Sequence, residues 1–346
     1  MVQTQKLREG DFVETLEGFI FDVKGLVHPQ SRVIAYVRYV PDPRGDRVRG
    51  GIRYRKLYKL EDRREFLRKN APMYLYVDPV FGMEMQSVPL HRVSRTYLPI
   101  LKVEELLRLG PKNIDQVEKL ALEFTRLLSA KSGVSIEYIG ISGSVLVGLH
   151  GPGSDIDLTV YGKRNGLKVY DALRELMADD LRVEHYGYDE LLRLYRFRSE
   201  DTAIPFKAFL RVEQDKCFQG TYMGRDFFVR FVPDWDEVSE RYGDRIYRSI
   251  GYCTVRAKVV DDSESLFTPC SYRVSNVEFL SGVKTDPGRV REVCSFRGRF
   301  CKQAHVGETV RVSGKLEKVE SLDGDVWFRI VVGERRGDYI IPERLL

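Results

Sequence analysis

A chain of 346 residues, 43% hydrophobic and 31% charged, is long enough for two or three domains with cores of their own. That composition excludes a disordered or fibrous protein, and no apolar run approaches the ~20 residues that span a bilayer. The net charge of +5 permits a polyanionic partner without requiring one.

The opening residues, Met1-Val2-Gln3-Thr4-Gln5, lack the apolar core of a signal peptide, so a cytoplasmic location is expected. From residue 11 to 40, apolar residues alternate as in strands, bracketed by turn signals at Gly25, His28-Pro29 and Pro41-Asp42-Pro43. A short helix is predicted over 61–70, then an apolar stretch over 73–80. Residues 1–100 therefore read as a β-rich domain. Helical spacing then governs 103–109 and the longer run from Asn113 to Ser132-Gly133, where Ile114, Val117, Leu120, Ala121, Phe124, Leu127 and Leu128 recur. An apolar strand over 136–141, a strand through Ile156, Leu158 and Val160, and helices over 167–177 and 190–197 follow, the last capped by Asp189. This alternation makes residues 101–245 an α/β core. Beyond it, strand-like segments at 252–260, 272–280, 290–296, 309–319 and 326–332 are separated by Gly, Pro and Asp. Residues 246–346 thus read as a small β domain, barrel-like and open to an oligonucleotide-binding arrangement.

One stretch carries chemistry. Asp155 and Asp157 are spaced i, i+2 in an alternating apolar run, so both carboxylates project from one strand face. Two like charges side by side are costly unless a cation lies between them, and oxygen ligands on a rigid strand suit Mg²⁺. Ten residues upstream, Gly143-Ser144 directly follows a strand-like run. A Gly-Ser at a strand-to-helix turn offers backbone N–H groups and a hydroxyl to a phosphate.

Gly143-Ser144, a spacer of ten, then Asp155-Ile156-Asp157-Leu158 resembles the signature of the DNA-polymerase-beta-like nucleotidyltransferase superfamily, here of an archaeal type with appended β domains. The resemblance covers the core alone, and Gly148 and the Gly151-Pro152-Gly153-Ser154 turn resemble its small-residue positions. It implies the superfamily's α/β core and transfer of a nucleoside monophosphate from a nucleoside triphosphate to a hydroxyl. It further implies Asp155 and Asp157 as catalytic metal ligands, Mg²⁺ as cofactor, and Gly143, Ser144 and Ser154 in nucleotide binding. Active members place a third acid on a neighbouring strand, in a stretch ending hydrophobic-hydrophobic-Pro. The matching stretch here is Asp226-Phe227-Phe228-Val229-Arg230-Phe231-Val232-Pro233. Its position nearest the proline is Arg230, which suits a phosphate contact or an ion pair with a neighbouring acid. Asp226, four residues earlier on the same face, is the expected third acid, with Glu184 as the alternative. Lys163 and Arg164, just past the strand, offer further phosphate contacts.

Two other features bear on partners. Residues 44–69 are dense in Arg and Lys with Tyr54 and Tyr58 interleaved, which suits RNA, and Arg53, Arg55 and Lys56 are the expected contacts. Asp46, Glu61, Asp62 and Glu65 in the same stretch fit a charged surface with internal ion pairs instead. Five cysteines without a CxxC pair indicate neither a zinc ribbon nor a full disulfide framework, and Cys301 with His305 lacks a second ligand pair. Three readings follow: a nucleotidyltransferase acting on RNA, a catalytically degenerate module that binds nucleotide or nucleic acid, and an antitoxin-like enzyme modifying a protein hydroxyl.

Overall fold

The computed structural model describes residues 6–200 and 204–346. The opening pentapeptide therefore lies outside the described residues. Strands β1 (Phe12–Thr15), β2 (Ile20–Val23), β3 (Arg32–Pro41), β4 (Arg47–Arg49) and β5 (Ile52–Lys56) begin the first sheet. Helix α1 (Leu60–Asn70) follows, then β6 (Leu75–Asp78), β7 (Met83–Pro89) and β8 (Val93–Tyr97). The strands run β4-β5-β3-β2-β1-β8, with β7 pairing β3 and β6 pairing β7. One face of this sheet packs Val13, Phe21, Val37 and Val40 against Leu67 of α1. Tyr39 and Tyr54 instead join a second cluster with Leu146, Val147 and Leu149. That second cluster seats the sheet on the loop bearing the Gly-Ser motif.

Helices α2 (Pro99–Leu109) and α3 (Gln116–Ser132) come next. Asp115 caps α3 by accepting from the N–H groups of Val117 and Glu118, and Gly133 ends it in the left-handed conformation. A second sheet is built from β9 (Ile139–Ile141), β10 (Ile156–Tyr161), β11 (Val183–Glu184), β12 (Gln219–Tyr222) and β13 (Arg225–Val232). Between these strands lie α4 (Gly143–Leu146), α5 (Lys163–Asp179), α6 (Tyr188–Ser199) and α7 (Phe206–Glu213). The order is β11-β12-β13-β10-β9, and β10 runs parallel to β13. Ile156, Leu158 and Val160 are buried, as the alternation predicts.

A third sheet comprises β14 (Arg245–Asp261), β15 (Cys270–Gly282), β16 (Val290–Ser295), β17 (Thr309–Ser321), β18 (Val326–Val331) and β19 (Tyr339–Pro342). It runs β14-β15-β16-β18-β17-β19, and β14 also pairs β17 along its length. Five strands therefore close a ring, in which β16 and β18 are parallel.

The molecule divides into two compact units. One holds the chain up to Val77, Glu84–Glu184 and Cys217–Glu240. The other holds Asp78–Met83, His185–Lys216 and Arg241–Leu346. This grouping departs from the boundaries 1–100, 101–245 and 246–346. The first sheet and the α/β core share one unit, whereas α6 and α7 group with the strand ring.

Candidate active site

The site is built where β9 ends. Ser142 donates its backbone N–H to the carbonyl of Asp157 (2.8 Å) and its hydroxyl to the carbonyl of Gly10 (2.7 Å). The chain then turns at Gly143 with φ +62°, a conformation that favours glycine. A Cβ there would lie 1.9 Å from Asp157 Oδ2, so the backbone of residue 143 rests directly on that carboxylate. The helix after the turn is a single turn. Its dipole is correspondingly small, and phosphate binding here would depend on local N–H groups and the Ser144 hydroxyl. Ser144 is buried, and its hydroxyl has no hydrogen-bond partner among the described residues. A buried hydroxyl left unpaired costs stability, so its retention fits a ligand that completes it.

The chain returns to β10 through a tight turn. Ser154 N–H donates to the carbonyl of Gly151 (2.9 Å), and Ser154 Oγ accepts from Gly151 N–H (3.0 Å) and Arg47 Nη1 (2.9 Å). Arg225 donates to the Ser154 carbonyl (2.6 Å). These bonds fix the residue just before Asp155. Asp155 is exposed and Asp157 half-buried, on the same strand face. Burial and the neighbouring Asp155 charge push the Asp157 carboxyl up to about 7. Lys56, Arg230 and Arg38 pull it down, so all three cations are within electrostatic reach of Asp157.

These cations differ in their bonding. Arg230 pairs with buried Glu9, which also takes Lys24 (2.9 Å), and Lys24 reaches Asp22 (2.8 Å). The ion pair expected as one reading of Arg230 is therefore present, with an N-terminal partner far away in sequence. Lys56 lies opposite Tyr39 in the β3–β5 register, with its ammonium 5.9 Å from that ring and 5.0 Å from that of Tyr58. Burial and Arg38 lower the Lys56 pKa to about 8, against the pull of Asp155 and Asp157.

The other expected residues fall as follows. Asp226 precedes Phe227, the register partner of Ile156, and pairs with Thr221 of β12. It shares a strand face with Phe228 and Arg230, and Phe228 pairs with Asp157. Its oxygens do not form a three-carboxylate group with Asp155 and Asp157 within 4.8 Å. Among the described residues, the group that meets that distance is Asp115, Glu118 and His150. Asp115 there caps α3 and takes His150 Nε2 (2.6 Å), while Glu118 takes Lys102 (3.0 Å), so this group braces the start of α3. Glu184 is exposed on the edge strand β11. The backbone N–H of Lys163 donates to Glu237 at the start of α5 (2.8 Å), and Arg164 is exposed.

The basic stretch is divided. Arg53 donates to the Gly45 carbonyl (3.0 Å), and Arg55 pairs with Asp42 (2.8 Å). Arg47 and Arg49 donate to the carbonyls of Leu149 (3.1 Å) and Val147 (3.2 Å), bracing the motif loop from the first sheet. Lys56 lies within electrostatic reach of Asp155 and Asp157. Sequence reasoning overlooked Arg38, Tyr39 and Arg47 as site neighbours, because only tertiary packing brings these strands to β10.

Comparison with known proteins bears on the same segment of chain. Residues 123–203 match the family model described as a nucleotidyltransferase domain, a segment containing Gly143, Ser144, Asp155 and Asp157. Across 342 residues, 96% of each chain, the protein is 29% identical to an uncharacterized protein of Methanocaldococcus jannaschii. No solved structure matches.

Proposed function

We propose, from the match of residues 123–203 to a nucleotidyltransferase domain, a Mg²⁺-dependent enzyme of the polymerase-beta-like superfamily that moves a nucleoside monophosphate from a nucleoside triphosphate to a hydroxyl, with RNA as acceptor. One observation carries the reading: Asp155 and Asp157 share a strand face, with Gly143 resting on Asp157 and an unpaired Ser144 hydroxyl beside it. Such a donor set fits a hard cation bridged to phosphate oxygens. Bound Mg²⁺ would supply charge neutralisation at the phosphate under attack. The chain's own residues do the rest. Gly143 lets the backbone close on the Asp157 carboxylate, Ser144 donates its hydroxyl, and Ser154 holds the turn that aims Asp155. Asp226 and Arg230, on the neighbouring strand, stand beside this site.

The RNA acceptor is supported by the closed five-strand ring, a barrel of the size that binds oligonucleotides, and by the Arg-rich β4–β5 segment. All five cysteines are free thiols, as a reducing, cytoplasmic setting would keep them. The degenerate-module reading keeps one observation in its favour, the absence of a three-carboxylate group at Asp155, Asp157 and Asp226.

Thermal unfolding with nucleoside triphosphate and Mg²⁺ tests the reading. Wild type gains stability as ligand exceeds its Kd, whereas Asp155→Asn and Asp157→Asn gain none. Equal stabilisation of all three proteins would remove the acid pair from the site.

A further inference from the structure

We propose that the N-terminal sheet completes the nucleotide site, with Arg38 and Lys56 gripping the triphosphate tail of the donor. The inference rests on the nucleotidyltransferase reading and adds to it a second wall, from strands outside the matched domain.

Three observations support it. First, Arg38 on β3 and Lys56 on β5 both act on Asp157, and Lys56 acts on Asp155 as well. Second, neither cation has a carboxylate within ion-pairing distance among the described residues. Arg38 makes a long contact to the Leu57 carbonyl (3.5 Å) and lies 5.7 Å from the Tyr58 ring, and Lys56 lies over two tyrosine rings. Their neighbours are otherwise engaged: Arg47 and Arg49 hold the motif loop, Arg55 holds Asp42 and Arg230 holds Glu9. Third, both are half-buried, where a charge without a counterion is costly and a bound anion recovers much of that cost. Of the carboxylates that act on them, Asp22 is already paired with Lys24, and Asp155 and Asp157 cannot serve the metal and these cations equally. A nucleoside triphosphate satisfies both sets: its phosphates bridge to the metal on one side and meet two cations on the other.

The attachment of the sheet fits this role. Tyr39, the cross-strand neighbour of Lys56, packs in one cluster with Leu146, Val147 and Leu149 from the loop after Ser144. The cations are therefore held in fixed register with the Gly-Ser turn, as a site requires.

The test uses the full chain with Mg²⁺. Affinities are measured for the tightest-binding ribonucleoside triphosphate, its monophosphate and inorganic tripolyphosphate, for wild type, Arg38→Gln, Lys56→Met and Lys56→Arg. Loss of one charge-assisted contact is worth roughly tenfold or more. Arg38→Gln and Lys56→Met should each weaken triphosphate and tripolyphosphate at least tenfold. The monophosphate should change less than twofold, and Lys56→Arg should retain most of the affinity. Unchanged triphosphate affinity in both neutral variants overturns the proposal. So does an equal loss for monophosphate and triphosphate, which would make these residues nucleoside contacts or structural supports. If wild type binds neither triphosphate nor tripolyphosphate, the nucleotidyltransferase reading falls with it.

Discussion

Gly143 is the residue on which the site geometry turns. Its backbone conformation and its contact with Asp157 leave no room for a side chain. Gly143→Ala should therefore cost about 2 kcal/mol or more, combining left-handed strain with displacement of the carboxylate. Nucleotide binding should be lost with it. Gly153, in the turn before Asp155, meets nothing within 4 Å of its Cβ direction. Gly153→Ala should stay within about 1 kcal/mol of wild type. Urea unfolding of the two variants checks this, and equal midpoints would mean that the Gly143–Asp157 contact is dispensable. The motif residues were legible in the sequence because glycine, serine and paired aspartates at fixed spacing have few other uses. Arg38 and Lys56 were not legible as site residues, since nothing local distinguishes them from the other cations of β3–β5.

At the scale of elements, local rules worked where local chemistry decides. The helix expected from residue 113 to 132 forms as α3, capped by Asp115, and the Asp-bearing strand forms as β10. They failed where pairing decides. The strand expected over 252–260 extends back to Arg245, because β14 pairs with β17 past an irregularity between Ser249 and Gly251. No alternation marks those first residues. The first sheet carries its own pH sensitivity through His28, whose Nε2 lies against the Leu7 carbonyl (2.9 Å) while Nδ1 accepts from Ile34 N–H (3.2 Å). Burial lowers this imidazole to about 4, below its ordinary 6.5. Its contribution is thus complete above pH 6.5 and is lost as pH falls toward 4, by on the order of 3 kcal/mol. Asp11 acts in the opposite sense, since burial raises its carboxyl to about 7 and acidification relieves that cost. Comparing wild type with His28→Gln isolates the histidine. Wild type should lose more stability between pH 7 and pH 4, and parallel curves would contradict the assignment.

At the scale of the whole molecule, the chain's division does not follow the sequence boundaries. The first sheet and the acid-bearing sheet form one unit, so the basic stretch near residue 50 lies beside the motif loop. The RNA contacts expected there divide: Arg53 and Arg55 are exposed and bond within their own hairpin region, while Lys56 lies within electrostatic reach of Asp155 and Asp157. The strand ring and the helices α6 and α7 form the other unit; its strands and their barrel-like arrangement were readable in the sequence, but not the pairing order that closes it. Ring closure depends on the β14–β17 pairing, which no local pattern announces. The central claim is nucleotidyl transfer at Asp155 and Asp157. It is tested most directly by incubating the protein with each α-labelled nucleoside triphosphate, Mg²⁺ and RNA, protein or small-molecule acceptors, following label transfer and pyrophosphate release. Wild type should transfer label to RNA with matching pyrophosphate release, and Asp155→Asn and Asp157→Asn should do neither. Absence of transfer with all four nucleotides and every acceptor, or undiminished transfer by Asp157→Asn, would contradict the account.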